Sequence, residues 1–223
     1  MPKTKAPQPI VADEFDIDSL KDLLITRKRE FSIGAIVVLA VAGGVMLWRL
    51  SANQKNARAQ AALVDASYTV YSGNVVLGET QLQAAVDRYR DTRPGIEAAI
   101  VLAQTEFGQA RWDDGIKVLD GVEQSSEIES FKPSIEGLMA GAYADLKKYD
   151  DAVKHYQNAA DAAKYQPIKD LYLADEARVL ERAGNNDDAK KVWGDILTRP
   201  DSPMLAEAKV RLGELDAAPA AKN

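Results

Sequence analysis

The chain contains no cysteine. That excludes disulfides, thiolate metal sites and cysteine nucleophiles, and it leaves an oxidising compartment as acceptable as a reducing one. Histidine is nearly as scarce. His155 is the only one in 223 residues, and a single imidazole cannot assemble a metal site. We read it as a surface or packing residue. No glycine-rich phosphate loop follows a strand-like run, and no serine stands in a nucleophile-elbow context. Carboxylates are plentiful but scattered along helical faces. These gaps predict a protein that is not an enzyme, with no cofactor, no metal and no small-molecule substrate. Positive charge is also in deficit, with 28 basic against 34 acidic residues and a net charge of −6. The first thirty residues hold six of each sign, so the acidic excess lies beyond them. An acidic domain repels phosphate backbones, so nucleic acid is not an expected partner.

One stretch lacks charge altogether. Phe31 to Trp48 reads FSIGAIVVLAVAGGVMLW, with Ser32 as its only hydroxyl. As a helix it spans roughly 27 Å, close to the ~30 Å of a hydrocarbon core, with Lys28 and Arg49 able to reach interfacial water. It predicts a transmembrane helix over 31–50. The competing reading, a buried core helix, fits poorly with so long a run without charge. A cleaved leader also fits poorly. About thirty residues, many acidic, precede the run, and the small-x-small string Ala57-Arg58-Ala59 lies well past it. Lys21, Arg27, Lys28 and Arg29 precede the span and Arg49, Lys55 and Arg58 follow it. This bias favours an inside N-terminus and an outside C-terminal domain. Within the span, Ala40 and Gly44 form a small-xxx-small pair that Gly43 widens, a face for contact with another membrane helix or for lipid.

Residues 1–30 read as a tail. Its first twelve positions carry three prolines and predict disorder. Phe15, Leu20, Leu23 and Leu24 can share one face of a short helix capped by Asp18 or Ser19, either a docking helix or a solvated tail. Residues 51–71 continue the helix beyond the span, with Ala59, Leu63, Ala66 and Val70 at helical spacing, and Ser72-Gly73-Asn74 ends it. The domain would then follow the anchor without a flexible linker.

Three strings recur: Trp112-Asp113-Asp114-Gly115-Ile116-Lys117, Tyr149-Asp150-Asp151-Ala152-Val153-Lys154 and Asn186-Asp187-Asp188-Ala189-Lys190-Lys191. Both intervals are 37 residues. Twelve residues before the small residues 115, 152 and 189 stand Ala103, Ala140 and Ala177, and one period earlier stand Ala66 and Gly78. Such a period predicts a helical solenoid of two-helix units over 51–216, with a degenerate first unit. The paired small residues let the two helices of a unit cross closely. Leu119, Tyr156 and Trp193, four positions on, fill the gap to the neighbouring unit. The Asp-Asp pairs fall in the first turn of each second helix, where carboxylates suit the positive helix end, and are not read as catalytic acids. Helices are expected near 55–71, 78–90, 95–109, 113–123, 132–147, 150–163, 168–183, 187–198 and 203–215, separated by Arg93-Pro94-Gly95, Pro133, Pro167, Gly184-Asn185 and Pro200. Residues 203–215, with Leu205, Ala208, Leu212 and Leu215, would cap the open end, and 217–223 read as a disordered tail.

The stretch Gly141 to Ala160 resembles a tetratricopeptide unit in Ala140, Ala152, Tyr143, Tyr149, Tyr156 and Ala159. The other units depart from it, with Glu106 and Leu180 where an aromatic is usual and a period longer than the usual one. The fold class implied is all-α, one N-terminal transmembrane helix followed by a TPR-like α-solenoid. The whole layout, an acidic tail, a basic patch, one anchor ending in Trp-Arg and degenerate repeats, is similar to the ancillary SecYEG translocon subunit (YfgM-like) family. That resemblance implies a bacterial inner-membrane protein with a periplasmic domain, associated with the export channel and with chaperones. The alternative is an accessory subunit stabilising a large respiratory or photosynthetic membrane complex. Resemblance to the TPR unit also places candidate groove positions on the first helices: Glu97, Ile100, Gln104 and Phe107; Ser134, Gly137, Gly141 and Asp145; and Leu171, Ala174, Arg178 and Arg182. Gly137 and Gly141 leave the backbone open, to a partner helix or to a neighbouring unit. The basic and asparagine pattern that clamps a peptide carboxylate in some TPR domains is missing, since Ile100, Gly137 and Ala174 stand there.

Overall fold

The computed structural model describes residues 28–217, with side chains from residue 36. The expected tail helix, the first twelve residues with their expected disorder, Lys21 and Arg27 and the last six residues lie outside the described part. The chain divides into two units, 1–52 and 53–223. Among the described residues all regular structure is helical.

In the first unit, helix α1 (Lys28–Tyr71) carries the apolar run. Ile36 to Leu50 are exposed at every position, so this stretch is not a core helix. It is long and apolar enough to cross a bilayer. Methyl groups added at Gly43 and Gly44 would meet nothing within 4 Å, and Ala40 is exposed beside them.

The second unit holds the C-terminal part of α1, then α2 (Val75–Tyr89), α3 (Arg93–Gly108), α4 (Trp112–Asp120), a 3-10 turn (Ile128–Ser130), α5 (Lys132–Asp145), α6 (Tyr149–Ala162), α7 (Gln166–Arg182), α8 (Asn186–Leu197) and α9 (Leu205–Ala217). Each expected helix is present. The exception in length is α4, which ends at Asp120 rather than near 123 and passes through Gly121 into turns and the 3-10 segment. Pro94, Pro133 and Pro167 occupy the first turns of α3, α5 and α7, where the missing N–H has no helical partner to lose.

The 37-residue period is carried by close packing. Ala66, Ala103, Ala140, Ala152, Ala177 and Ala189 are buried, as are Gly78 and Gly115. A Cβ on Gly78 would collide with Val70, lying 2.8 Å from its backbone nitrogen. A Cβ on Gly115 would strike the Phe107 ring and approach the Ala103 carbonyl to 3.0 Å. Four positions beyond two of these small residues, Leu119 and Trp193 are sealed in the core. Tyr156 packs with Ala144 and with Val179 of the following unit. Burying one such side chain contributes about 1.5–3 kcal/mol. The far end is closed by α9, whose Ala208, Leu212 and Leu215 join Trp193 and Ile196.

The turn between the two helices of each unit repeats as faithfully. Gly73, Ala110, Lys147 and Gly184 all have positive φ, at +94°, +59°, +59° and +79°, and they stand 37 residues apart. At each, the following N–H donates to a carbonyl five residues back: Asn74 to Thr69, Arg111 to Glu106, Lys148 to Tyr143 and Asn185 to Leu180, all at 2.9–3.1 Å. This left-handed cap satisfies carbonyls that the helix end leaves free. Only two of the four positions are glycine. Ala110 and Lys147 hold a conformation that strains a residue with a Cβ by roughly 1–2 kcal/mol. Lys147 is exposed, and among the described residues its side chain makes no hydrogen bond. Lys147→Gly is therefore expected to raise stability by about 0.5–1 kcal/mol, after the entropy glycine gains when unfolded. Lys154→Gly, in the exposed interior of α6, should lower it by about 1 kcal/mol. Urea unfolding of the two variants checks both signs.

Candidate partner-binding groove

The candidate positions lie on α3, α5 and α7, and the fold treats them unequally. Gln104, Ser134, Asp145 and Leu171 are exposed, while Glu97 and Ile100 are half-buried. Phe107 is turned into its own unit, stacked on Trp112 at 5.7 Å and seated on Gly115. Ala174 is fully buried. Gly137 does not leave an open backbone. The Tyr172 ring of α7 covers it, within 2.5 Å of where a Cβ would stand. Of the two occupants considered, the neighbouring unit takes this position. Gly141 is roomier, with the Tyr156 hydroxyl 3.7 Å from where a Cβ would stand.

The two arginines are held by neighbouring helices. Arg178 donates to both Glu207 oxygens on α9, at 2.8 and 2.5 Å, and also pairs with Asp175. Hydrogen bonding by Glu207 raises the Arg178 pKa despite burial, and the same bond lowers that of Glu207. Arg182 donates to the Ala144 carbonyl at 3.1 Å, lies 3.6 Å from Asp145 and covers the Tyr149 ring. Both therefore join consecutive units; Arg178 is half-buried in doing so, while Arg182 stays exposed. The exposed remainder is widened by two residues that sequence reasoning missed. Tyr165 and Ile168 stand with Leu171 as exposed apolar groups at the start of α7. Their i, i+3, i+6 spacing was available as a signal.

Two buried polar clusters were also missed. Glu136 on α5, only 8% exposed, meets the His155 Nδ1 at 2.7 Å and accepts from Asn158 at 3.2 Å, both on α6. The His155 ring stacks on Tyr143 at 5.0 Å. Burial pushes the Glu136 carboxyl up, but the bonds from His155 and Asn158 together outweigh it, and its pKa is lowered. Asp170, 1% exposed, lies 2.8 Å from Arg199 Nε and accepts from Gln166 at 2.8 Å, tying α7 to the segment after α8. His155 is thus a packing residue with one carboxylate partner. Among the described residues no group of three or more acidic or histidine side chains is placed to hold a metal ion. The Asp-Asp pairs lie in the first turns of α4, α6 and α8.

The cluster and the glycines make distinct predictions. Because the Glu136 pKa is lowered in the fold, its contribution is present above the ordinary carboxylate range and is lost as pH falls through the folded value. His155→Ala should cost about 1–3 kcal/mol near neutral pH by removing a partner from a buried carboxylate. It should also move the acid-unfolding midpoint upward, as followed by circular dichroism across pH. Gly137→Ala should lose about 1–3 kcal/mol by forcing the Tyr172 ring aside. Gly141→Ala should gain up to about 1 kcal/mol of helix propensity. Thermal unfolding of this pair measures which glycine is covered.

Residues 50–174, more than half of the chain, match the family described as tetratricopeptide repeat-like domain. No curated protein matches. Among solved structures, a tetratricopeptide repeat protein from Parabacteroides merdae superposes with a TM-score of 0.55 at 14% identity, over 71% of this chain. The present chain spans only 60% of that protein's length. Two structures of a putative kinesin light chain of Podosopora anserina with nearly identical TPR-like repeats superpose with a TM-score of 0.57 at 13% identity. They cover 72% of this chain, and 85% and 86% of their own. At such identities the likeness is one of fold.

Proposed function

From the premise that this chain belongs to the tetratricopeptide repeat-like family, a family of protein-interaction scaffolds, we propose that it is a membrane-anchored scaffold whose repeat domain gathers other proteins beside a bilayer. The observation that carries this reading is the exposure of Ile36 to Leu50, a charge-free run except for Arg49, in the same chain as a repeat domain. An apolar helix of this length exposed to water would be strongly unfavourable, and a bilayer removes the penalty. The basic residues before the span support an inside N-terminus and a periplasmic domain. The layout supports an ancillary role at the protein-export translocon with its chaperones. Gln104, Ser134 and Leu171, with Ile168 and Tyr165 beside them, are the surface offered to a partner. Their mixed apolar and polar character suits a helix or extended segment of another protein rather than a charged carboxylate clamp.

Purification of the full-length chain from its native membrane in mild detergent, with quantification of co-purifying proteins, tests the reading. Export-channel subunits and chaperones at substoichiometric levels are expected. Leu171→Glu should lower their recovery several-fold while leaving thermal unfolding unchanged. A single large complex at fixed ratio would instead make the chain an accessory structural subunit. Partition into the soluble fraction without detergent would overturn the anchor.

A further inference from the structure

The first helix of a solenoid has a face that no earlier unit covers, and in this chain that face is apolar. Ala61, Val64 and Tyr68 of α1 have equivalents 37 residues on in Ala98, Val101 and Thr105, and 74 on in Ile135, Leu138 and Ala142. In the later units these positions are closed over: Ala98, Ile135 and Ala142 are buried, and Val101 and Leu138 pack on the core. One further period gives Tyr172, which lies across Gly137 of the unit before it. In α1 the same positions are bare. Val64 is 54% exposed, Tyr68 73% and Tyr71, one turn on, 82%. A repeat array needs its terminal faces covered or polar. Here α9 covers the C-terminal end, and α1 presents aromatic and branched side chains to solvent.

We propose that a second copy of this chain covers this face, with the two α1 helices packed parallel over residues 53–71. The spacing of Ala57, Ala61, Val64, Tyr68 and Tyr71 alternates four and three residues, the seam of a two-helix coiled coil. It lies opposite the core face of Ala59, Leu63, Ala66 and Val70, so pairing does not compete with the fold. The inference rests on the anchored reading in two respects. The residues before the span are then across the bilayer from this face, and all copies present α1 in one direction. Residues 217–223, AAPAAKN, carry no large apolar side chain to cover it. Parallel, in-register pairing sets Arg58 beside an Asn53 and Asp65 beside a Gln60, so no acid faces an acid across the seam. The seam is short, and confinement to one membrane supplies the effective concentration that a short contact needs.

The absence of cysteine makes the test clean. Single variants Val64→Cys, Tyr68→Cys and Tyr71→Cys, with the exposed Asn56→Cys and Lys154→Cys as off-seam controls, are made in the full-length chain. They are reconstituted at low protein density in phosphatidylethanolamine and phosphatidylglycerol vesicles and oxidised briefly. Disulfide dimers are expected at the three seam positions roughly tenfold above the controls, and Tyr68→Glu placed in the Val64→Cys chain should abolish the excess. Equal yields on both faces, no dimer at any position, or crosslinking in native membranes only to a different protein would each overturn the proposal. Vesicle flotation separates the two ideas. A chain that does not float fails the anchored reading, whereas one that floats but crosslinks without a preferred face fails this inference alone.

Discussion

Each unit of the repeat domain depends on one close approach, that of its two helices at a pair of small residues. At Gly78 and Gly115 the opposite helix occupies the space a methyl group would need. Where alanine stands instead, at Ala140 with Ala152 and at Ala177 with Ala189, the methyl groups are wholly buried. The left-handed turns at 73, 110, 147 and 184 bring the second helix back at the angle this approach requires. Two of them hold residues with a Cβ, which indicates that packing outweighs the local backbone strain there.

That spacing decides what the first helices can offer outward. Bringing units together turns Phe107 into its own pair, lays Tyr172 over Gly137 and engages Arg178 and Arg182 with α9 and with the end of α5. What remains exposed is mixed in character and richest near the start of α7. The buried carboxylates Glu136 and Asp170 each meet side chains of a neighbouring segment, Glu136 those of His155 and Asn158 and Asp170 the Arg199 guanidinium in an ion pair. Such pairs add orientation between helices more surely than they add net stability, because desolvation offsets much of the attraction.

The helix α1 serves two environments. Its stretch from Phe31 to Trp48 carries no charge and suits lipid, with small residues at Ala40, Gly43 and Gly44. Its last turns build the first helix pair of the repeat domain through Ala59, Leu63, Ala66 and Val70.

The sequence by itself determined the helical class, the apolar run, the order of the helices and the 37-residue register. These are carried by local chemistry and by spacing: small residues at fixed intervals, prolines at helix starts, acids in first turns. It determined the candidate groove only as a row of positions. Which members of that row stay exposed was decided by tertiary structure, because exposure depends on side chains from other units. Tyr172 had to reach Gly137, and Arg178 had to meet Glu207 on α9, before either could be assigned. The left-handed turns at Ala110 and Lys147 were likewise illegible, since neither residue favours that conformation and only the packing of the helices on either side imposes it. The pairing of Glu136 with His155 and of Asp170 with Arg199 joins residues about nineteen and twenty-nine positions apart. No local pattern marks such pairs, because they exist only once two helices are laid side by side.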